Sequence, residues 1–430
     1  MNFIEELRWR GMLHNITPEL EKIVETQQIT AYLGIDPTAS SLTVGNLAAL
    51  MMLMHLQRAG HRPVVLVGGA TGMIGDPSGK KSERSLLDEE TLQKNIAGQK
   101  VQLQKLLDFD NDTNPAIMVN NYDWFKEINV LDFLRDIGKH LTVNYMMAKD
   151  SVKSRIETGI SFTEFSYQLI QGYDFVHLYK NYGCNVQMGG SDQWGNITAG
   201  TELVRRMLGG EAYAVTCPLI TKADGTKFGK SEGGNIWLNP ELTSPYQFYQ
   251  FWLNASDEDA GKFIRIFTFL SQAEIEELEA EHTEAPHLRK LQKRLAQEVT
   301  TMLHGAENCA VAIDASQILF NKKTTSESLK MIFGSLSHKD ILTIFDGVPQ
   351  FEISRTDLEQ SINIIEFLAE KTNIYGSKGE VRRALKGNSV LINKDRVNKQ
   401  EHTITTSDLI ADKFILVQKG KKNFNLVVIV

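Results

Sequence analysis

Tyr32-Leu33-Gly34-Ile35-Asp36-Pro37-Thr38-Ala39-Ser40-Ser41-Leu42-Thr43-Val44-Gly45-Asn46 joins the end of an apolar extended run to the start of an apolar helix. Residues 31–36 read as a buried strand, residues 43–59 as a long buried helix, and a second apolar run over 63–69 completes a strand, helix, strand unit. Further strands are predicted at 116–120, 184–188 and 215–220, with helical segments between them. That alternation predicts an α/β fold on a mostly parallel, doubly wound sheet. Such sheets bind ligands beyond the carboxyl ends of their strands. Backbone N–H groups at a helix start attract anions there, and Gly45 lets a base or phosphate approach the first turn with no Cβ in the way. Thr38, Thr43 and Asn46 add donors. The competing reading is that Ser41 or Thr43 simply caps the helix.

Outward from this unit, 430 residues are long for one core, so two or three domains are expected. With 42% hydrophobic and 23% charged residues, the composition is neither disordered nor disulfide-stapled. The longest apolar stretch, near 47–56, is about half of the ~20 residues a membrane span needs. The first residues carry Glu5 and Glu6 and no basic run, which argues against a secretory signal or transit peptide and for a cytoplasmic protein. Cys184, Cys217 and Cys309 are widely spaced and read as buried small hydrophobes rather than metal ligands. After Ser244-Pro245, a good helix start, the pattern is helical to about residue 330. Residues 337–355, with Gly347 and Pro349, read as a linker before a small mixed α/β module. The formal net charge is -7, yet the segment from Lys371 onward has 12 Lys/Arg against 5 acids. A basic module on an acidic body suits a phosphate backbone, although a solvated charged surface explains the same counts.

Four further segments carry chemistry. The glycine-rich 68–82 stretch fits neither a P-loop nor a dinucleotide fingerprint, because Lys81 separates Gly79-Lys80 from Ser82 and the Gly-x-Gly-x-x-Gly spacing is not met. Glycines crowded after a strand still suggest close approach by a ligand, or else a structural turn. Ser161-Phe162-Thr163-Glu164 is a capping-box signature that starts a helix running to about Tyr182. Tyr167, Gln171 and Asp174 then share one face of that helix, either as a solvated stripe or, among apolar neighbours, as partners for a small molecule with an amine and a hydroxyl. In Gly189-Gly190-Ser191-Asp192-Gln193-Trp194-Gly195-Asn196, Asp192 suits a ribose hydroxyl or an N-cap. Lys227-Phe228-Gly229-Lys230-Ser231 sits in a glycine-rich cationic loop whose two lysines suit a polyphosphate.

As an ordered set, Gly189 to Asn196, Lys227 to Ser231 and Gly75-Asp76-Pro77-Ser78-Gly79-Lys80, with Tyr32 ahead of them, resemble the bacterial tyrosyl-tRNA synthetases, class I enzymes on a Rossmann-type fold. The resemblance covers essentially the whole chain. It implies a Rossmann-type catalytic domain binding ATP and tyrosine over 1–225, a lysine loop with an α-helical domain over 226–336, a linker over 337–357 and a small RNA-binding domain over 358–430. Tyr32 and Asp174 would bind the substrate phenol, and Asp76, Tyr167 and Gln171 its ammonium. Gly34, Asp36, Gly45, Gly190, Asp192 and Gln193 would line the adenylate, with Asp192 on the ribose and Lys227 and Lys230 on the phosphates. ATP with Mg²⁺, L-tyrosine, tRNA and a second copy of the chain are the implied partners, the copy meeting residues 124–140.

One feature departs from the family. Its His-x-Gly-His signature is Thr43-Val44-Gly45-Asn46 here, so no side chain carries charge at the helix start and the lysines and backbone dipoles must bear more of the phosphate stabilisation. Arg382, Arg383 and Lys386, on one predicted helix of the carboxyl-terminal module, would grip tRNA phosphates. A catalytically silent RNA-binding paralogue and another adenylating enzyme of this fold are the alternatives.

Overall fold

The structure is a computed structural model that describes residues 1–78, 87–156, 159–223, 225, 228–231, 234–320, 324–334, 338, 341–342, 345, 347–420 and 423–430. The chain divides into two compact units, Met1–Asn239 with Ala255–Leu295, and Pro240–Asn254 with Ala296–Val430.

The first unit is built on a six-stranded sheet of β1 (Asn15–Ile16), β2 (Thr30–Ile35), β3 (Arg62–Val67), β4 (Ile117–Asn120), β5 (Val186–Gly190) and β6 (Tyr213–Cys217). Their order is β1-β6-β5-β2-β3-β4, parallel except for the edge strand β1, which pairs antiparallel with β6. The chain steps from β2 to β3 and β4 on one side and returns on the other side with β5 and β6. Strand order therefore reverses between β2 and β5, the place where open sheets part to make a crevice. Strands 31–36, 63–69, 116–120 and 184–188 were expected and are present with shifted ends. The strand expected over 215–220 instead runs Tyr213–Cys217, because Pro218 has no N–H to continue the ladder. The two-residue β1 was not foreseen, being too short to show a pattern.

Helices α1 (Val44–Arg58), α2 (Glu89–Leu106), α3 (Phe162–Tyr182) and α4 (Trp194–Leu208) accompany the sheet. Nearly every α1 residue from Leu47 to Leu56 is buried, as its largely apolar sequence predicts for a crossover helix. Ser161 caps α3 by accepting from the Glu164 N–H at 3.1 Å. The Glu164 carboxylate does not close a capping box. Arg155 takes it in a two-pronged pair at 2.9 Å each, with both side chains almost wholly buried.

The second unit contains α5 (Pro245–Leu253), whose N-cap is Ser244, and the helices Ala306–Phe320 and Ser326–Gly334. It also holds a five-stranded sheet of β7 (Gln350–Ile353), β8 (Val390–Ile392), β9 (Asp395–Val397), β10 (Phe414–Lys419) and β11 (Asn423–Ile429), ordered β9-β8-β10-β11-β7. Alternation along β10 and β11 sends Ile415, Val417, Val427 and Ile429 to one core and Phe414, Leu416, Phe424, Leu426 and Val428 to another. Both faces of the sheet are thus covered. The 337–357 stretch, expected as a linker, contributes β7, which pairs parallel with β11, and buried Ile341, Phe345 and Val348 in the second core. Gly347 and Pro349 suggested a linker, but the apolar residues between them and on either side belong to a packed layer.

Candidate active site

A cleft of about 300 Å³ opens where strand order reverses, at the carboxyl ends of β2 and β5. The chain exits β2 through Tyr32, Gly34, Asp36 and Thr38, and all four line it. So do Gly45 and Asn46 at the start of α1, Asp76, Tyr167, Gln171 and Asp174 on α3, and Gly190, Asp192 and Gln193 after β5. Residues distant in sequence converge because the switch point brings β2, β5 and the α3 face to one edge.

At the floor, Asp174 is fixed by two donors: Trp124 Nε1 reaches Oδ1 at 3.0 Å and Asn121 Nδ2 reaches Oδ2 at 3.1 Å. Asn121 Nδ2 also donates to the Thr71 hydroxyl at 3.0 Å, and that hydroxyl donates to Asp36 Oδ1 at 2.7 Å. Asp36 Oδ2 accepts from the Tyr167 hydroxyl at 2.8 Å. A continuous chain of hydrogen bonds therefore runs from Trp124 to Tyr167, and Trp124 is itself stacked on His177 with ring centroids 4.2 Å apart. Burial pushes the Asp174 carboxyl well above the usual carboxylate range, while the Asn121 and Trp124 donors pull it back toward the ionised form. Burial raises the Tyr32 and Tyr167 phenols too, with Asp174 and Asp36 respectively adding to the shift, so both stay neutral O–H groups. Tyr32 Oη, Gln171 Oε1 and Gln187 Oε1 are buried with no hydrogen-bond partner. Unsatisfied polar atoms on one cleft suit a small molecule that brings both donors and acceptors.

A second cluster surrounds Asp76. Its Oδ2 accepts from Gln193 Nε2 at 2.7 Å, and its Oδ1 from the Ser78 N–H at 2.9 Å and from Asn196 Nδ2 at 3.4 Å. At the α1 start, the Thr43 N–H and hydroxyl both donate to Asn46 Oδ1, at 3.0 and 2.9 Å. Thr43 is thus engaged as a helix cap and does not line the cleft, contrary to the expectation that it offers a phosphate donor. Asn46 does line it, and its amide nitrogen makes no hydrogen bond to another described residue.

The glycines of the 68–72 turn are approached by protein rather than open to a ligand. A Cβ on Gly68 would fall 2.2 Å from Asp36 Oδ1, and one on Gly69 2.2 Å from Asn120 Oδ1. Lys227 lies outside the described residues, as do Lys80 and the side chain of Lys230. Between the two loop lysines, Phe228 is buried, its ring stacked on Phe267 at 5.3 Å. Arg382, Arg383 and Lys386 belong to the second unit, exposed on α6 (Lys378–Lys386), while Val381 and Leu385 are buried. No ion pair ties those three to another described residue, whereas Lys371, Lys378 and Lys419 pair with Asp357, Glu370 and Glu380.

Sequence reasoning missed Thr71, Asn121, Trp124, Gln187 and Asn196. Thr71 and Asn196 fall inside the 68–82 and 189–196 segments, and Gln187 lies just ahead of the second, but their roles there are not marked by the motif. For the others the partner is a carboxylate or cleft wall in another part of the chain, and no local spacing marks that.

Residues 24–321 match the family described as tRNA synthetases class I (W and Y), and residues 340–427 match the tyrosine–tRNA ligase SYY-like C-terminal domain. The tyrosine–tRNA ligase of Bacteroides fragilis is 59% identical over the full length of both chains, and that of Porphyromonas gingivalis is 58% identical over the same extent. Among solved structures, a C-terminally truncated mitochondrial tyrosyl-tRNA synthetase from Aspergillus nidulans superposes with a TM-score of 0.67 at 30% identity, covering 74% of this chain and 94% of its own.

Proposed function

The chain belongs to the class I tRNA synthetases of the tryptophan and tyrosine group, among the tyrosine–tRNA ligases, and from that membership we propose the roles of its cleft residues. It is an ATP-dependent aminoacyl-tRNA ligase. Tyrosine is activated with ATP to tyrosyl-adenylate, pyrophosphate leaves, and the tyrosyl group passes to the 3' end of the tRNA.

The tyrosine phenol sits between Tyr32 and Asp174, accepting from the Tyr32 hydroxyl and donating to a carboxylate that Trp124 and Asn121 hold in place. The buried, unpartnered Tyr32 hydroxyl beside Asp174 is the observation that carries this reading. The tyrosine ammonium meets Asp76, Gln171 and the lone pairs of Tyr167, whose own proton points to Asp36. Asp192 receives the ribose, Gly34, Asp36, Gly45 and Gly190 line the nucleotide, and Gln193 lies where carboxylate meets α-phosphate. In-line attack needs no covalent enzyme intermediate, only placement and stabilisation of charge on the departing pyrophosphate. Thr38, the Asn46 amide and the backbone at the α1 start supply neutral donors, and Lys227 and Lys230 the positive charge.

ATP enters with Mg²⁺ carried on its phosphates as part of the substrate. Among the described residues no group of three His, Cys, Asp or Glu side chains converges to hold a metal. No helix among the described residues is long and apolar enough to cross a membrane, and the reading places the enzyme in the cytoplasm. The α6 cations grip tRNA phosphates. A homodimer forms through the 124–140 region, where Val130, Leu131 and Leu134 are exposed apolar side chains.

Pyrophosphate exchange with each amino acid in turn tests the reading. Exchange is expected with tyrosine and, because the site hydrogen-bonds a hydroxyl, at a rate roughly 10⁴ to 10⁵ lower with phenylalanine. Equal exchange with the two amino acids would remove the proposed pocket.

A further inference from the structure

Between Asp36 and Thr43 the chain has no regular structure, yet it must present Thr38 and the α1 start to the same cleft. Its shape is imposed by α2. Asn95 Nδ2 donates to the Pro37 carbonyl at 2.9 Å, and Gln99 Nε2 donates to the Ala39 carbonyl at 2.9 Å. Gln102 Oε1 accepts from the Leu42 N–H at 2.8 Å, while Gln102 Nε2 donates to the Ser41 hydroxyl oxygen at 3.0 Å. These residues stand four and three apart, on one helix face. Between them, Gly98 lies so close that a Cβ there would be 2.1 Å from the Ser40 carbonyl oxygen.

The other side of the loop is held as well. Ser41 Oγ accepts from the Asn239 N–H at 3.2 Å, the Leu42 carbonyl from the Leu238 N–H at 2.8 Å, and the Ile236 carbonyl from the Val44 N–H at 3.1 Å. Residues 236–239 follow directly on the lysine loop, so the loop bearing Thr38 is clamped between α2 and that loop's carboxyl-terminal arm. Packing alone does not call for three amides at such a place. Asn95 and Gln99 are almost completely buried, where apolar side chains of equal size fill space without a desolvation cost. Amides at fixed spacing fix positions instead, and position matters where the α1 start offers no charged side chain and a misplacement of about 1 Å slows a reaction by about 10²-fold.

We propose that Asn95, Gln99 and Gln102, with Gly98 between them, are positioning residues for adenylation, acting through the 37–42 loop to place Thr38 at the ATP phosphates. The inference rests on the tyrosine–tRNA ligase reading. It is tested on the full chain with Gln99→Leu, which keeps the volume and removes the donor, and Gly98→Ala, which drives the Ser40 carbonyl away. Tyrosine-dependent pyrophosphate exchange and tyrosine Kd by equilibrium dialysis are measured for each. The expected result is a kcat lowered about 10- to 100-fold, with tyrosine Kd held within about twofold. In a Thr38→Ala background, the further loss from Gln99→Leu should shrink to less than about twofold, because coupled residues do not add. Unchanged exchange in both variants, fold-losses that multiply fully with Thr38→Ala, or tyrosine affinity falling in parallel with kcat would each overturn the proposal. An unmutated chain inactive with tyrosine would refute the ligase reading itself, and the positioning role with it.

Discussion

Asp174 accepts an N–H at each oxygen, so an amide in its place turns one of its own N–H groups toward Trp124 or Asn121. Asp174→Asn is therefore expected to cost about 1–3 kcal/mol of stability in urea unfolding, from one buried donor left unpaired. The same change replaces the carboxylate proposed to accept from the substrate phenol with a neutral amide that has a single accepting oxygen. The ratio of exchange kcat/KM for tyrosine over phenylalanine should fall by about 10²-fold or more. A variant with the parent's ratio would show that the phenol lies elsewhere. Tyr167, Gln171 and Asp174 were legible in the sequence because helical spacing alone puts them on one face. Asn121 and Trp124 were not, since they act on a carboxylate 53 and 50 residues away. Thr43 was misjudged for a related reason: a hydroxyl at a helix start suits a phosphate and a cap equally, and only the observed bond to Asn46 chooses between them.

At the scale of elements, α1 carries its own pH dependence. His55 is buried in it, with its ring 5.1 Å from that of Phe269, and burial, with Arg10 and Arg58 adding to the effect, lowers its pKa from the ordinary value near 6.5 to about 3. Between those two values the unfolded chain binds a proton that the folded chain does not. The stability is therefore fully present well above pH 6.5 and is lost as pH falls toward 3, by about 2 kcal/mol between pH 6.5 and 4.5. His55→Leu should flatten this limb when urea midpoints at pH 7 and pH 4.5 are compared. A variant that loses as much as the parent would assign the acid sensitivity to other groups. The α1 boundaries followed from its long, mostly apolar run and its capping residue. The α3 cap was half legible: Ser161 was read correctly, but the Glu164 side chain is taken by Arg155, which no local signature announces.

For the whole molecule, two predictions separate the units. At micromolar concentration the chain should sediment as a dimer, and Leu131→Asp, which puts a charge on an exposed apolar position, should shift it to the monomer. A monomeric parent chain would contradict the proposed assembly. In the second unit, replacing Arg382, Arg383 and Lys386 together with Ala should weaken tRNA binding and reduce the slope of log affinity against log salt by about 2 to 3. Tyrosine-dependent exchange, which involves no tRNA, should be unchanged. An unaltered salt slope would place the RNA on another surface.

The sequence by itself determined the α/β class, the positions along the chain of the sheet's main strands, and most of the residues that meet in the cleft. Each of these depends on local periodicity, on helix-start chemistry or on motifs read along a few neighbouring residues. Tertiary structure alone decided which polar groups are satisfied by the protein and which face the cleft open. It tied Asp174 to Trp124, filled the space beside Gly68 and Gly69 with Asp36 and Asn120, and laid α2 against the 37–42 loop. It also drew Gln350–Ile353 out of an expected linker into a parallel ladder with Asn423–Ile429. The physical reason is common to all four. A hydrogen bond or a packed contact between distant segments depends on where two backbones have been carried by everything between them, and local spacing does not contain that distance.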